Sequence, residues 1–138
     1  MKFAVVYATK TGHSKKIATA VAAGLGVDAY DVKKTPILEK IDLLYIVGGI
    51  YGGKSLREMM DYVKTLKPDN IKKAALITSS ASKSAKQTDV RKALIDNGIE
   101  VIEEEFKCPG SFMVLKLGHP NDNEIKNAVE FALKTSNE

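Results

Sequence analysis

Three short apolar runs, each followed by apolar residues at helical spacing, constrain the fold of this chain most. The runs are KFAVVYA at residues 2–8, LLYIVGG at 43–49 and AALITSS at 74–80. Each is short and ends in small or polar residues, which is typical of strands buried on both faces. After the first run, helical spacing is carried by Ile17, Val21 and Leu25, and similar spacing follows the other two. This alternation predicts parallel strands with helices on both faces of the sheet.

Weaker segments complete the predicted sheet. Residues 98–106 predict an edge or partly exposed strand because acids adjoin its apolar residues, and residues 27–32 predict a weak strand. Residues 35–41 predict a connection or one short helix, and a last helical segment is predicted over 120–133. We therefore predict one α/β domain over residues 1–138, a three-layer sandwich whose five-stranded parallel sheet has the order 2-1-3-4-5. Ligands of such sheets bind at the switch point between strands 1 and 3.

Bulk properties narrow the function classes. A chain of 138 residues and 15.0 kDa suits one domain with one core. The apolar run nearest the N-terminus is too short for a signal peptide or a membrane span, so we expect a cytoplasmic protein with no membrane insertion. One cysteine fits a reducing compartment, and a net charge of +4 does not by itself indicate nucleic acid.

The basic residues are unevenly placed. Three stretches, residues 2–27, 43–57 and 70–88, carry lysine or arginine and no acid, whereas acids concentrate at residues 103–105 and on helical segments. If the three stretches meet in space, they form a basic rim.

The segment GGIYGGKS at residues 48–55 matches the P-loop pattern of nucleotide hydrolases. Such enzymes also need an acid at the end of a neighbouring apolar strand to hold Mg²⁺. No strand supplies one, because we expect Glu103, Glu104 and Glu105 in the body of the last strand, on the far side of the sheet. We therefore do not expect nucleotide hydrolysis.

The segment ATKTGHS at residues 8–14 favours phosphate binding. It places hydroxyls around a glycine, directly after a buried strand and at the start of a helix, where free N–H groups and the helix dipole favour an anion. Hydroxyls suit a phosphomonoester. The alternative is that Thr11 or Ser14 only caps the helix.

At these residues the chain resembles a flavodoxin along its whole length, with the size of a short-chain member. The loop is similar to the family's T-x-T-G-x-T/S phosphate loop for FMN. The resemblance implies phosphate ligands at Thr9, Lys10, Thr11, Gly12, His13 and Ser14.

The resemblance also implies ring contacts. In the family, the loop after strand 3 covers one face of the isoalloxazine ring, here Gly49, Ile50, Tyr51, Gly52 and Gly53. Tyr51 is expected to stack on the ring, and the Gly52 peptide is expected to turn toward flavin N5 on reduction.

The loop after strand 4 is expected to line the pyrimidine end of the flavin through backbone amides. Its implied ligands are Ser79, Ser80, Ala81 and Ser82. Many flavodoxins place an aromatic residue in this loop and this chain has none, which leaves Phe112 and Met113 as candidates to cover the second face.

The function implied by the resemblance is electron transfer by a monomer, with FMN as cofactor, between redox-partner proteins, for which we expect acidic docking surfaces. Flavodoxins are usually acidic, whereas Lys10, Lys54, Arg57, Lys83 and Lys86 lie in or just after the predicted site loops. We therefore expect a less negative flavin potential than in acidic relatives. No catalytic residue and no metal site are predicted.

Two alternatives stay open. Residues 48–63 are similar to the corresponding region of flavodoxin-type protoporphyrinogen oxidases, which implies an FMN-dependent oxidoreductase acting on a porphyrinogen, a quinone or another small substrate. The other alternative is a binding module of the same fold without flavin.

Overall fold

The structure is a computed structural model that describes residues 1–10, 12–51, 53–80, 86–109 and 122–137, with the backbone alone for Ser80, Cys108, Pro109 and Asp122. The strands are β1 (Phe3–Ala8), β2 (Ala29–Asp31), β3 (Ile41–Tyr51), β4 (Lys54–Ser55), β5 (Ile71–Ser80), β6 (Glu100–Val101) and β7 (Phe106–Pro109). The helices are α1 (His13–Leu25), α2 (Arg57–Val63), α3 (Thr88–Asp96) and α4 (Asp122–Thr135), with a 3-10 turn at Val32–Lys34.

The sheet confirms the predicted fold class. Its strands run in the order β2-β1-β3-β5-β6, all parallel, with β7 also pairing in parallel with β5. Since β6 and β7 are two pieces of one predicted strand, this is the predicted order 2-1-3-4-5. The additional strand β4 pairs antiparallel with the end of β3.

Helices cover both faces of the sheet, as predicted. One core cluster packs α2 and α3 against it, through residues such as Met59, Val63 and Leu94. The other packs α1 and α4 against the opposite face, through residues such as Ile17, Val21 and Phe131. Burial on both faces explains why β1, β3 and β5 read as unbroken apolar runs.

Several boundaries differ from the prediction. Strand β3 continues to Tyr51, since Ile50 and Tyr51 pair with Ser55 and Lys54. Of the two predictions for the 35–41 segment, the structure shows the connection and not the short helix, and β3 begins at Ile41. The strand predicted over 98–106 is broken at residues 102–105, where Arg91 of α3 donates hydrogen bonds to the carbonyls of Ile102 and Glu103. Because Arg91 bonds these two carbonyls, they remain paired although they take no part in the β-sheet hydrogen bonding.

The topology brings three loops together. The carboxyl ends of β1, β3 and β5 lie side by side, because Ala8 pairs with Gly48 and Gly49 pairs with Ser79. The crevice beyond these strand ends lies at the switch point of the sheet, where doubly wound proteins bind ligands. No helix among the described residues has the length and apolar character to cross a membrane.

Candidate functional site

The loop after β1 forms a turn that is held by Thr9 and leads into α1. Thr9 Oγ1 accepts a hydrogen bond of 2.7 Å from the Gly12 amide. Gly12 precedes the first residue of α1 and has φ of +91°, a conformation that a side chain would strain. The N-cap residue of α1 is Gly12, which has no side chain, and the Ser14 hydroxyl makes no capping hydrogen bond among the described residues. Thr11 itself lies outside the described residues.

Ser14 is the most informative residue of this loop. Its side chain is 1% exposed, and its Oγ has no hydrogen-bond partner among the described residues. A buried hydroxyl without a partner costs about 1–3 kcal/mol. A group that accepts this hydrogen bond at the start of α1 would remove that cost, and a phosphate oxygen is such a group.

His13 adds a titratable group beside Ser14. Burial, and secondarily the charge of Lys16, lowers the pKa of His13 below its ordinary value of 6.5. The imidazole of the ligand-free protein is therefore mostly neutral at neutral pH. A neutral imidazole can still donate one N–H to an anion.

The segment GGIYGGKS does not form a P-loop. A P-loop leads from a strand into a helix at its Lys-Ser pair, whereas Lys54 and Ser55 here form β4 of a hairpin and α2 begins at Arg57. The Ser55 hydroxyl, which would bind Mg²⁺ in a hydrolase, donates instead to Asp89 Oδ1 at 2.7 Å.

Tyr51 links the first and second loops. Its ring lies against Gly49, where an added Cβ would come within 2.8 Å of a ring carbon. Lys10 Nζ lies 5.7 Å from the centre of the same ring, close enough for a cation–π contact. Ile50 beside it is 7% exposed. Stacking of Tyr51 on a flavin remains a prediction, and the implied role of Gly52 falls on a residue outside the described ones.

The third loop is described only at its two ends. Ser79 is fully buried, and its Oγ has no hydrogen-bond partner among the described residues. It is paired with Gly49 on one side and Cys108 on the other, so it lies at the floor of the crevice. Ala81, Ser82, Phe112 and Met113, and the side chain of Ser80, lie outside the described part of the chain.

The expectation for Glu105 was wrong. Its side chain is 4% exposed and lies at the carboxyl end of β5, where it accepts hydrogen bonds from Thr78 Oγ1 at 2.5 Å and from the Gln87 amide at 2.8 Å. Arg91 lies 3.4 Å from its other oxygen. The broken strand turns this one acid toward the crevice end of the sheet, while Glu103 and Glu104 stay exposed.

Gln87 is a second residue that the sequence did not single out. Its Nε2 donates to the carbonyls of Ile46 and Ile77, and its Oε1 is buried without a hydrogen-bond partner in the described residues. A Cβ at Gly48 would lie 2.8 Å from that Oε1, so a larger residue there would require the buried Gln87 side chain to move. A glutamine just before a helix carries no local signal of burial.

The basic rim is smaller than the sequence suggested. The first two stretches meet where Lys10 lies over Tyr51. Lys72 and Lys73, however, lie at the start of β5, on the opposite edge of the sheet, and Lys73 pairs with Glu100 at 3.1 Å. We use the term basic rim for exposed Lys10, Lys15, Lys16, Lys54 and Lys86.

The surface of the described part of the chain also has grooves away from this crevice. Two surface grooves of about 580 and 640 Å³ have none of the predicted ligand residues in their walls.

Comparison with known proteins agrees with the resemblance seen in the sequence. An uncharacterized protein of Methanocaldococcus jannaschii is 34% identical over 149 residues, covering 96% of each chain. A solved flavodoxin from the domain Archaea superposes with a TM-score of 0.76 at 16% identity, over 99% of this chain and 97% of the other. A short-chain flavodoxin associated with a bacterial microcompartment gives a TM-score of 0.74 at 20% identity, over 99% of both chains.

The family model described as flavodoxin domain matches residues 4–114, which is most of the chain and includes all three crevice loops. The chain therefore belongs to the flavodoxin domain family.

Proposed function

We propose that this protein binds FMN in the crevice beyond β1, β3 and β5 and carries electrons between redox-partner proteins of the cytoplasm. The observation that carries the proposal is the buried Ser14 hydroxyl, which has no hydrogen-bond partner among the described residues and lies in the first turn of α1. Membership of the flavodoxin domain family supports it.

The phosphate would be held by the loop after β1. The amides at the start of α1 and the Ser14 hydroxyl would donate to phosphate oxygens, and the helix dipole would favour the negative charge. Thr9 keeps Gly12 in place through its hydrogen bond to the Gly12 amide. A terminal phosphate fits FMN, whereas riboflavin lacks the group that this loop would recognise.

The ring would be held by the loops after β3 and β5. The Tyr51 ring offers a stacking surface, and Gly49 lets that ring lie directly against the main chain. The buried Ser79 hydroxyl offers a polar contact at the floor of the crevice. When bound, flavin accepts and donates electrons one or two at a time, and these residues would orient it and exclude water.

The basic rim points to partners with acidic docking surfaces. Its lysines surround the loop after β1 and the hairpin after β3, and opposite charge accelerates encounter between proteins. Docking of this kind weakens as salt rises, because exposed charges are screened over about 10 Å at 0.1 M.

The same rim favours one alternative, an oxidoreductase acting on an anionic substrate such as a porphyrinogen carboxylate. A turnover assay with protoporphyrinogen and a quinone separates the two functions. Saturable oxidation of protoporphyrinogen would show that the protein is an oxidoreductase and not an electron carrier. Absence of turnover would support the role of electron carrier.

The binding proposal is tested by titrating the ligand-free protein with FMN and with riboflavin and following flavin fluorescence. We expect quenching by both and tighter binding of FMN. Ser14→Ala should weaken FMN binding about 10- to 100-fold, the worth of one hydrogen bond to a charged group, and leave riboflavin binding unchanged. It should also raise the melting temperature of the ligand-free protein, since it removes a buried, unpaired hydroxyl.

Thr19→Ala is the matched control. Thr19 lies on the same helix, and its exposed hydroxyl donates to the Lys15 carbonyl at 2.8 Å. We expect no change in flavin affinity. If the wild-type protein leaves FMN fluorescence unaltered, the proposed function is wrong.

A further inference from the structure

We propose that Asp89 and Glu105 are positioning residues for the flavin ring: each holds one of the two ring loops onto the first turn of α3. The inference rests on the proposed function, since it concerns the ring end of the same site. Both carboxylates lie outside the set of residues that the sequence predicted to bind the cofactor.

Asp89 holds the loop after β3. Its Oδ2 accepts a hydrogen bond of 2.9 Å from the Ser55 amide, and its Oδ1 accepts one of 2.7 Å from the Ser55 hydroxyl. The same Oδ1 also accepts from the Val90 amide at the start of α3. Ser55 pairs with Ile50 in the hairpin, so fixing Ser55 fixes the strand that carries Tyr51.

Glu105 holds the loop after β5. Through one oxygen it contacts Thr78, just before Ser79 and Ser80, and the amide of Gln87, just after Lys86. One carboxylate thus ties together the two ends of the predicted pyrimidine-binding loop. Charge-assisted hydrogen bonds are about twice as strong as neutral ones, which suits this role.

The charges of the two carboxylates are compensated locally. Both lie beside the first turn of α3, where the helix dipole favours an anion, and Arg91 lies 3.4 Å from Glu105. The arrangement therefore does not depend on a ligand for its stability. It is present before the ring binds, which lowers the entropy that binding would otherwise lose.

The phosphate loop is not hydrogen-bonded to this arrangement in the described part of the chain, although Lys10 lies over the Tyr51 ring. Thr9, Gly12 and Ser14 make no described hydrogen bond to Asp89, Glu105 or α3. Loosening either ring loop should therefore weaken contacts to the ring and leave those to the phosphate as they are.

The test compares Asp89→Asn and Glu105→Gln with wild-type protein in FMN and riboflavin titrations. We expect each variant to bind both ligands about tenfold more weakly, so that the ratio of the two affinities stays at the wild-type value. The visible absorption bands of the bound flavin should also change shape, because the ring environment changes. In the ligand-free protein, amide hydrogen exchange at Ser55 should be faster in Asp89→Asn, and that at Gln87 faster in Glu105→Gln.

Two exposed acids give matched controls. Asp96→Asn changes the far end of α3, where Asp96 pairs with Lys92 at 2.7 Å. Glu104→Gln changes a residue next to Glu105 in sequence, and Glu104 pairs with Lys134 at 2.8 Å. Both should bind the two flavins as the wild type does.

Milder variants decide the matter if a carboxamide variant does not fold. Ser55→Ala and Thr78→Val each remove one hydroxyl that donates to these carboxylates and keep both acids. They should weaken FMN and riboflavin binding equally.

Flavin affinities within twofold of the controls would overturn the inference, and so would a loss confined to FMN. Both outcomes leave wild-type FMN binding intact, so they are distinct from a failure of the proposed function.

Discussion

Serine hydroxyls near the crevice differ in whether they have a hydrogen-bond partner among the described residues. Ser55 donates to Asp89, whereas Ser14 and Ser79 are buried without a hydrogen-bond partner among the described residues. The sequence predicts Ser14 and Ser79 as cofactor ligands and places Ser55 in the P-loop pattern, and the contact of Ser55 with Asp89 on α3 separates it from the other two. The residue types of the site were thus predictable, but which hydroxyl is free for a ligand depends on tertiary partners.

His13 should give the ligand-free protein a specific pH dependence. Its pKa is lowered from 6.5 in the folded state by burial and by Lys16, while the unfolded chain keeps the ordinary value. The unfolded state therefore takes up its proton first as pH falls. The stability that neutral His13 contributes is fully present above the pKa of His13 in the unfolded state. It is lost as pH falls through the lower pKa of His13 in the folded state.

We expect the melting temperature of ligand-free wild-type protein to fall more between about pH 7.5 and about pH 5.5 than that of His13→Gln. Thermal melts followed by circular dichroism measure the difference. Equal pH slopes in the two proteins would show that His13 titrates alike in the folded and unfolded states.

Strands and helices were predictable where local pattern decides them. The buried runs of β1, β3 and β5 and the helical spacing after each gave the topology, because β-branched composition and periodicity are properties of neighbouring residues. The broken strand at residues 102–105 was not predictable. Its break depends on Arg91, Thr78 and Gln87, which are distant from Glu105 in sequence.

The packing of α1 against α4 gives a prediction about helix contacts. A Cβ at Gly24 would lie 2.6 Å from Val129 Cγ1, and the β-branched side chain of Val129 has little rotameric freedom in a helix. Gly24→Ala should therefore lower the free energy of unfolding by about 1 kcal/mol, even though alanine favours a helix by up to about 1 kcal/mol over glycine.

The background Val129→Ala removes the obstructing methyl groups. In that background we expect Gly24→Ala to raise the free energy of unfolding, by up to about 1 kcal/mol, because only helix propensity remains. Urea denaturation of the four proteins measures both effects. A stabilising Gly24→Ala in the wild-type background would mean that Val129 yields without cost.

At the scale of the whole molecule, exposed lysines lie at both ends of the parallel strands. The basic rim lies at the crevice, and its field should favour a reduced, anionic flavin. Replacing Lys10, Lys54 and Lys86 with glutamine should make the potential of FMN-loaded protein more negative by on the order of 30 mV, about 0.7 kcal/mol for one electron. The shift should shrink at high salt.

The control replaces Lys64, Lys67 and Lys72, which lie toward the opposite edge of the sheet, with glutamine. It removes the same formal charge, so potentiometry at saturating FMN compares position alone. Equal potentials for the two triple variants would show that the rim does not tune the flavin.

The interrupted last strand has a further consequence for how copies of this molecule meet. A long, regular outer strand would present a row of unpaired amides and carbonyls on which another chain could extend the sheet. Here β6 has two residues and β7 four, Arg91 donates to the carbonyls of Ile102 and Glu103 between them, and β2 on the other side has only three residues. The same break that delivers Glu105 to the crevice thus guards the molecule against strand-by-strand aggregation.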